Sequence, residues 1–251
     1  MSAGTLYLVP TPLDFGCEPQ GPLDEVMPAG TLAVACGLAC WISENARSTR
    51  AFLKRVAQTH PLVQPIQELQ IQELPRQLHK QGDHDGRFDA RPLLQPALAG
   101  QDMGLVCEAG MPAIADPGSS VVRAAHALHI QVVPLSGPMS LMLALAASGL
   151  NGQNFAFVGY LPQDAGERAQ RLRSLEALAH KSGQTQLFIE TPYRNAALMS
   201  ALLQTLQGST RLAVGCGLTL PQGFSLTLTV QDWKKRSPPQ LDAPTVFAIG
   251  R

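Results

Sequence analysis

The chain has 251 residues, which is long enough for two compact domains. Its 19 basic residues balance 19 acidic ones, so the chain as a whole lacks the positive excess of a protein that coats nucleic acid. Only 15% of the residues are charged, which favours a dimer that hides apolar surface. The five cysteines form no CxxC pair, as expected of thiols in a reducing cytosol, and no apolar run is long enough to cross a membrane.

The start of the chain predicts short strands and helices in alternation. Residues 5–9, TLYLV, are apolar and β-prone and end at two prolines, so they predict a buried strand. The spacing of apolar residues then predicts a short helix at residues 23–27, a second strand at residues 31–35 and a helix at residues 44–58.

Residues 75–92 differ in composition from the segments around them. They are polar and interrupted by glycine, which predicts a mobile surface loop. The loop contains residue types that bind metals, namely His79, Asp83, His84, Asp85 and Asp89. Their spacing matches no known set of metal ligands, so we predict no metal site.

A strand–loop–helix–strand unit comes next. It comprises a strand at residues 104–107, a loop that ends at residue 118, a helix at residues 119–128 and a strand at residues 130–135. This order predicts a pair of parallel strands. The chain breaks at Gly137 before a helix over residues 139–148, and we place the domain boundary there, between domains 1–137 and 138–251.

The second domain has a different order of elements. We predict strands at residues 155–160, 186–190, 211–216, 225–230 and 245–249, and helices at residues 166–180 and 195–206. Consecutive strands near the end of the chain favour antiparallel pairing. The sequence therefore predicts an α/β protein with a mostly parallel first sheet and a mixed second sheet.

The segment 107–118, CEAGMPAIADPG, is the strongest candidate for chemistry. It follows a predicted strand, and open parallel sheets bind ligands beyond the carboxyl ends of their strands. Gly110 and Gly118 allow close backbone approach or a positive φ, while the prolines stiffen the loop. The spacing is neither GxGxxG nor a P-loop, so the residues alone leave a ligand-binding loop and a purely structural loop as alternatives.

Five motifs in order resemble a known family. The stretch CEAGMPAIADPG, with LSGP and ASGL after it, resembles the SDAGTPxISDPG signature of tetrapyrrole methylase-like methyltransferases that use S-adenosylmethionine (SAM). GTLYLVPTPL, ENARSTRAFL, FAFVGYLPQDAGERAQRL and FIETPYRNAALMSALL resemble further motifs of the branch that methylates a ribose 2′-hydroxyl of 16S rRNA. The resemblance covers nearly the whole chain.

The resemblance implies two domains with SAM in the cleft between them, and a homodimer. In the first domain it implies SAM contacts from the loops after the strands, at Pro10, Ala109, Gly110, Met111, Ile114, Ala115 and Asp116. It implies further contacts in the LSGP turn at the domain boundary, at Ser136 and Pro138. In the second domain it implies contacts from Ile189, Glu190, Leu218 and Pro244.

Removal of a proton from an acceptor hydroxyl requires a base or a polarising group. The motifs place Glu44, Arg47 and Glu108 on the acceptor side, as candidate catalytic residues. The alternative for Glu44 and Arg47 is a helix N-terminal carboxylate and a surface arginine. Asn45 stands where the motif has its second acid. For Arg168, Arg171, Arg173 and Arg194 a solvated face is favoured over RNA contact.

Three functions stay open at this stage. The first is methyl transfer to rRNA on the 30S subunit. The second is methyl transfer to a small molecule such as a tetrapyrrole. The third is SAM binding without catalysis.

Overall fold

The structure is a computed structural model that describes residues 2–251, and all side chains in that range except those of residues 79–81. The chain divides into two compact units, Met1–Met139 and Ser140–Arg251. The boundary between residues 137 and 138 stays a prediction.

The first unit is built on a five-stranded sheet. All its neighbouring strands are parallel, in the order β3-β2-β4-β1-β5. The strands are β1 (Thr5–Leu8), β2 (Cys40–Ser43), β3 (Gln70–Glu73), β4 (Met103–Val106) and β5 (Gln131–Pro134). The helices are α1 (Ala29–Gly37), α2 (Ala46–Val56), α3 (Arg76–Gln81), α4 (Gln95–Leu98) and α5 (Ser119–Ala127). Two clusters of buried apolar side chains flank this sheet, as expected of parallel strands covered on both faces.

The strand predicted at residues 31–35 is wrong, because these residues lie in α1. The buried residues of α1 are Thr31, Leu32 and Ala35, which share one face of a helix. A five-residue apolar run fits a strand and a buried helix equally well, and Pro28 at the N-cap starts the helix. The predicted parallel strands β4 and β5 are parallel, but β1 lies between them.

The prediction that residues 75–92 form a surface loop is confirmed for residues 84–89, which are irregular and mostly exposed, and wrong for the residues around them. The segment contains α3 and a 3-10 helix, Arg91–Leu94, and the Asp83 side chain is only 2% exposed. Asp83 is buried because it accepts hydrogen bonds from the start of α5, as described below. The His79 side chain, named above among the metal-binding residue types, lies outside the described residues.

The second unit has a mixed sheet in the order β6-β7-β10-β8-β9, in which only β6 and β7 pair in parallel. Its strands are β6 (Phe155–Tyr160), β7 (Thr185–Glu190), β8 (Arg211–Cys216), β9 (Phe224–Thr229) and β10 (Thr245–Gly250). Its helices are α6 (Ser140–Ser148), α7 (Ala165–Ser182), α8 (Asn195–Thr205) and α9 (Val230–Trp233). The core contains stacked rings of Phe188 and Phe247, whose centroids are 6.1 Å apart. The predicted strands, long helices and antiparallel pairing of this half are confirmed.

Candidate functional site

The carboxyl edge of the first sheet gathers four loops. Parallel strands end at the same edge, so the loops after β1, β2, β4 and β5 emerge together. These loops contain Pro10, Glu44, residues 107–118 and the turn at residues 136–138. All the first-domain residues predicted to bind the cofactor or the acceptor lie on these loops or, for Arg47, in the helix that follows β2.

Backbone hydrogen bonds fix the start of the 107–118 loop. The Thr11 N–H donates to the Gly110 carbonyl at 2.9 Å, and the Gly110 N–H donates back to the Thr11 carbonyl at 3.0 Å. Gly110 has φ +81°, and a Cβ there would lie 3.3 Å from Leu13 Cδ2. A Cβ on Gly137 would overlap the Pro10 ring. Glycine is therefore required where these loops approach each other.

The middle of the loop is held in a conformation that is uncommon for residues other than glycine. Ala113 has φ 65° and Ala115 has φ 66°. The left-handed region costs an L-residue about 1 kcal/mol, and residues in it concentrate at ligand sites. The loop therefore maintains its shape through the contacts at its two ends.

Asp83 fixes the far end of the loop, a role that the sequence analysis does not predict for it. Its Oδ2 accepts the Gly118 N–H at 2.9 Å and the Ser120 N–H at 2.8 Å, and its Oδ1 accepts the Ser119 hydroxyl at 2.6 Å. Burial alone would raise the pKa of Asp83, but the hydrogen bonds from Ser119, Ser120 and Gly118 outweigh burial and lower it. The one sequence signal is indirect: the N-cap of α5 is Gly118, which has no side chain to cap the helix, and the first turn has no acid.

The carboxylates of Glu44 and Glu108 affect the ionisation of Asp116 at this loop. The Glu108 N–H donates to Glu44 Oε2 at 3.2 Å, and burial, with the charges of Glu44 and Glu108, raises the pKa of Asp116 to about 7. A hydrogen bond from Cys107 opposes that rise. Burial, followed by the charges of Asp116 and Glu44, raises the pKa of Cys107 well above its usual value. The cluster is therefore able to hold or release a proton near neutral pH, and it attracts cations.

The predicted acceptor-side residues do not all lie in this cluster. Glu44 and Glu108 belong to it, and Asp116, predicted as a cofactor contact, joins them. Arg47 is exposed in the first turn of α2, where its backbone N–H donates to Asn45 Oδ1 at 2.9 Å. Its placement fits the alternative of a surface arginine as well as it fits an acceptor contact.

The predicted cofactor contacts of the first unit differ in exposure. Pro10, Gly110 and Pro138 are buried, whereas Ile114, Ala115 and Ser136 are exposed. A cavity of about 490 Å³ is lined mostly by apolar residues that include Met111 and Ile114, together with Ser119 and Arg123. Its size is typical of sites for small molecules.

The predicted contacts of the second unit share one edge of their own sheet. Thr245, which begins β10, pairs with Glu190 at the end of β7 and with Cys216 at the end of β8. Ile189 and Glu190 therefore lie at the same edge as Leu218 and Pro244, and the Pro244 carbonyl accepts the Gly217 N–H at 2.9 Å. Glu190 accepts hydrogen bonds from Arg194 Nη2 at 2.7 Å and Nε at 3.0 Å.

The described residues contain neither a metal-binding cluster nor a helix that could cross a membrane. No three His, Cys, Asp or Glu residues in this part of the chain are arranged to hold a metal ion. None of its helices combines the length and the apolar character that a membrane crossing requires.

Two α/β units, one with a parallel sheet and one with a mixed sheet, form a fold that is shared with a solved methyltransferase structure. The chain superposes on the crystal structure of the methyltransferase CobJ with a TM-score of 0.57 at 15% sequence identity, over 100% of this chain and 95% of CobJ. Residues 43–232 match the model of the tetrapyrrole (corrin/porphyrin) methylases. The chain belongs to this family, whose members are methyltransferases.

The chain is also similar to curated relatives. It is 33% identical to the "Ribosomal RNA small subunit methyltransferase I" of Pseudomonas aeruginosa, over 93% of this chain and 74% of that protein. It is 34% identical to the protein of the same name from Mesorhizobium japonicum, over 85% of this chain and 63% of that protein. The chain thus spans about two thirds of the length of these relatives.

Proposed function

We propose that this chain transfers a methyl group from SAM to a ribose 2′-hydroxyl of small-subunit rRNA. The observation that carries the proposal is the similarity to the Pseudomonas aeruginosa rRNA methyltransferase, which extends over 93% of the chain. The 107–118 loop supports the cofactor, because it is a rigid loop with glycine approach points at the carboxyl edge of a parallel sheet.

The residues present fit SAM. The apolar cavity shares Met111 and Ile114 with the proposed contacts, and the carboxylates of Glu44, Glu108 and Asp116 favour a cation. When bound, SAM supplies a methyl group that is already activated as a sulfonium. The proposed contacts are the first-unit residues named above together with Ile189, Glu190, Leu218 and Pro244.

The protein's own task is then to position the acceptor and to accept its proton. We assign the proton to the cluster of Glu44, Glu108 and Asp116, and the orientation of the acceptor to Glu44, Glu108 and Arg47. A protein that binds SAM without catalysis would not need these carboxylates. Their presence therefore argues against that alternative. Similarity to CobJ at 15% identity supports the fold alone, so it does not favour a tetrapyrrole acceptor.

Calorimetry with SAM, followed by transfer of tritiated methyl groups, tests the proposal. We expect heat on titration with SAM and incorporation into 30S subunits from a strain that lacks the gene. Glu108→Gln should retain SAM binding and lose most incorporation. If titration with SAM gives no heat, SAM is not the cofactor. If it gives heat but no methyl group is incorporated into 30S subunits, small-subunit rRNA is not the acceptor.

We also propose that the chain acts as a homodimer in the cytoplasm, where its ribosomal substrate is found. The low share of charged residues, 15%, supports an apolar interface between two copies. Sedimentation velocity at micromolar concentration should give about twice the monomer mass.

A further inference from the structure

Two tyrosines are exposed at one edge of the second unit's sheet. Tyr160 ends β6 and is 57% exposed, and Tyr193 lies in the 3-10 helix Pro192–Arg194 and is 80% exposed. Strands β6 and β7 are parallel, and Tyr160 pairs in register with Ile189. The segments that follow both strands therefore emerge at the same edge, with Tyr193 four residues beyond Ile189.

The backbone before Tyr160 is irregular in a way that redirects a side chain. The register between β6 and β7 shifts between Phe157 and Tyr160, and Gly159 has φ +73°. A β-bulge re-aims the next side chain, and bulges are common beside functional sites. Glycine supplies the positive φ without strain. The exposure of Tyr160 therefore follows from the irregular backbone at the end of β6.

Arg194 is held beside the Tyr193 ring. Its guanidinium carbon lies 5.4 Å from the centre of the Tyr193 ring, and Glu190 fixes the guanidinium through an ion pair of 2.7 Å. The hydrogen bond to Glu190 is the largest cause of the raised pKa of Arg194. Arg194 and Tyr193 are in contact, and Tyr160 ends the neighbouring strand at the same edge, so we call these three side chains the tyrosine surface.

Flat aromatic rings and a fixed guanidinium match the faces of unpaired nucleobases. Proteins recognise single-stranded RNA by stacking splayed bases on Tyr rings and Arg planes, and one fixed cation also pairs with a phosphate. A duplex or a lipid surface is bound chiefly through clustered positive charge. Residues 164–173, at the start of α7, carry two acidic residues, Asp164 and Glu167, among three arginines, so the charge there is mixed rather than a purely positive cluster.

We propose that Tyr160, Tyr193 and Arg194 form a surface on which unpaired bases of the RNA substrate stack. The inference rests on the proposed function and deepens it, because the tyrosine surface directly follows the proposed cofactor contacts Ile189 and Glu190 in the same unit. For Arg194 the sequence analysis favours a solvated face over RNA contact. We propose RNA contact instead, because the Tyr193 ring and the ion pair with Glu190 hold the guanidinium in place.

Fluorescence anisotropy with a labelled single-stranded RNA of about 12 nucleotides tests the tyrosine surface. We expect Tyr160→Ala and Tyr193→Ala each to weaken binding by about tenfold, since each removes one stacking partner. Tyr160→Phe and Tyr193→Phe should bind within about twofold of the natural chain, because the ring faces remain. Leu178→Ala is the matched control, since Leu178 is 43% exposed in the same unit, on α7. A hairpin RNA with fully paired bases should bind more weakly than the single strand.

The outcomes separate this surface from the proposed function. Unchanged RNA affinity in both alanine variants, alongside methyl transfer to 30S subunits by the natural chain, would overturn the tyrosine surface alone. A second outcome would also overturn it: the alanine variants bind RNA normally but sediment as monomers, whereas the natural chain sediments as a dimer. The rings would then contact a second copy of the chain. A natural chain that neither binds SAM nor binds the RNA would overturn both.

Discussion

The fold raises the pKa of Asp116 into the neutral range. Its pKa in the folded protein is about 7, against an ordinary value of 3.8, because burial and the charges of Glu44 and Glu108 disfavour the carboxylate. A raised carboxyl pKa adds stability at low pH, and that stability is lost as pH rises from about 4 through 7.

Asp116→Asn should therefore gain stability relative to the natural chain as pH rises. The amide resembles the protonated acid and does not ionise. Relative to the natural chain, the free energy of unfolding of the variant should therefore rise by about 2 kcal/mol between about pH 5 and pH 8. Urea denaturation at the two pH values measures it, with Asp24→Asn, an exposed carboxylate, as the control. A difference that is independent of pH would contradict the raised pKa.

Asn45 shows why a departure from the family's motif leaves local structure intact. It is the N-cap of α2, where its Oδ1 accepts the Arg47 N–H at 2.9 Å and its carbonyl accepts the Thr49 hydroxyl at 3.0 Å. Asparagine and aspartate are about equally good at this position. Asn45 therefore caps α2 as well as the aspartate of the motif would, and the position of the neighbouring Glu44 does not depend on the second acid.

We expect Asn45→Ala to lower the free energy of unfolding by about 1 kcal/mol, and Asn45→Asp to leave it nearly unchanged. The alanine removes the acceptor for the first turn of α2, whereas the aspartate retains it. Chemical denaturation measures both variants. Equal loss in the two would mean that the amide NH2 group, rather than the cap, matters.

At the scale of elements, Asp83 ties the segment before β4 to the first turn of α5. It is buried, and Arg123 Nη2 donates to its carbonyl at 2.7 Å, so both its side chain and its backbone are held. Removal of a buried hydrogen-bonded carboxylate leaves the Gly118 and Ser120 N–H groups without their acceptor.

Asp83→Ala should lower the free energy of unfolding by about 3 kcal/mol and weaken SAM binding, because the end of the 107–118 loop is released. Asp85→Ala is the control, since Asp85 is exposed two residues away. Denaturation and calorimetry with SAM measure the two effects. A stable variant with normal SAM affinity would show that the loop needs no anchor at this end.

Sequence reasoning succeeded where an element is long or strongly patterned. Helix α7 and the six-residue strands of the second unit were predicted near their observed bounds. It failed for β2, CWIS, and for β3, QIQE, which is a polar edge strand with no apolar run to mark it. It also missed Asp83, whose role depends on donors 35 or more residues away. The loop at residues 107–118 was found through its motif, but its rigidity comes from contacts with Thr11, Leu13 and Asp83 that only the fold provides.

For the whole molecule, each unit has its own sheet and its own buried core. Units with separate cores are expected to unfold in separate transitions, so calorimetric scans should resolve two. Asp83→Ala should lower the midpoint of only one, which assigns that transition to the first unit.

SAM should then raise both midpoints, because the proposed contacts include residues of each unit. A ligand that binds only the folded state stabilises it by about 2.7 kcal/mol at a concentration of 100 times Kd. For units of this size that corresponds to about 10 °C. Differential scanning calorimetry measures the shift, with adenosine as the control because it lacks the sulfonium and the amino-acid end. If only the first-unit transition moves, Ile189, Glu190, Leu218 and Pro244 do not contact SAM, and if neither moves the 107–118 loop does not bind it.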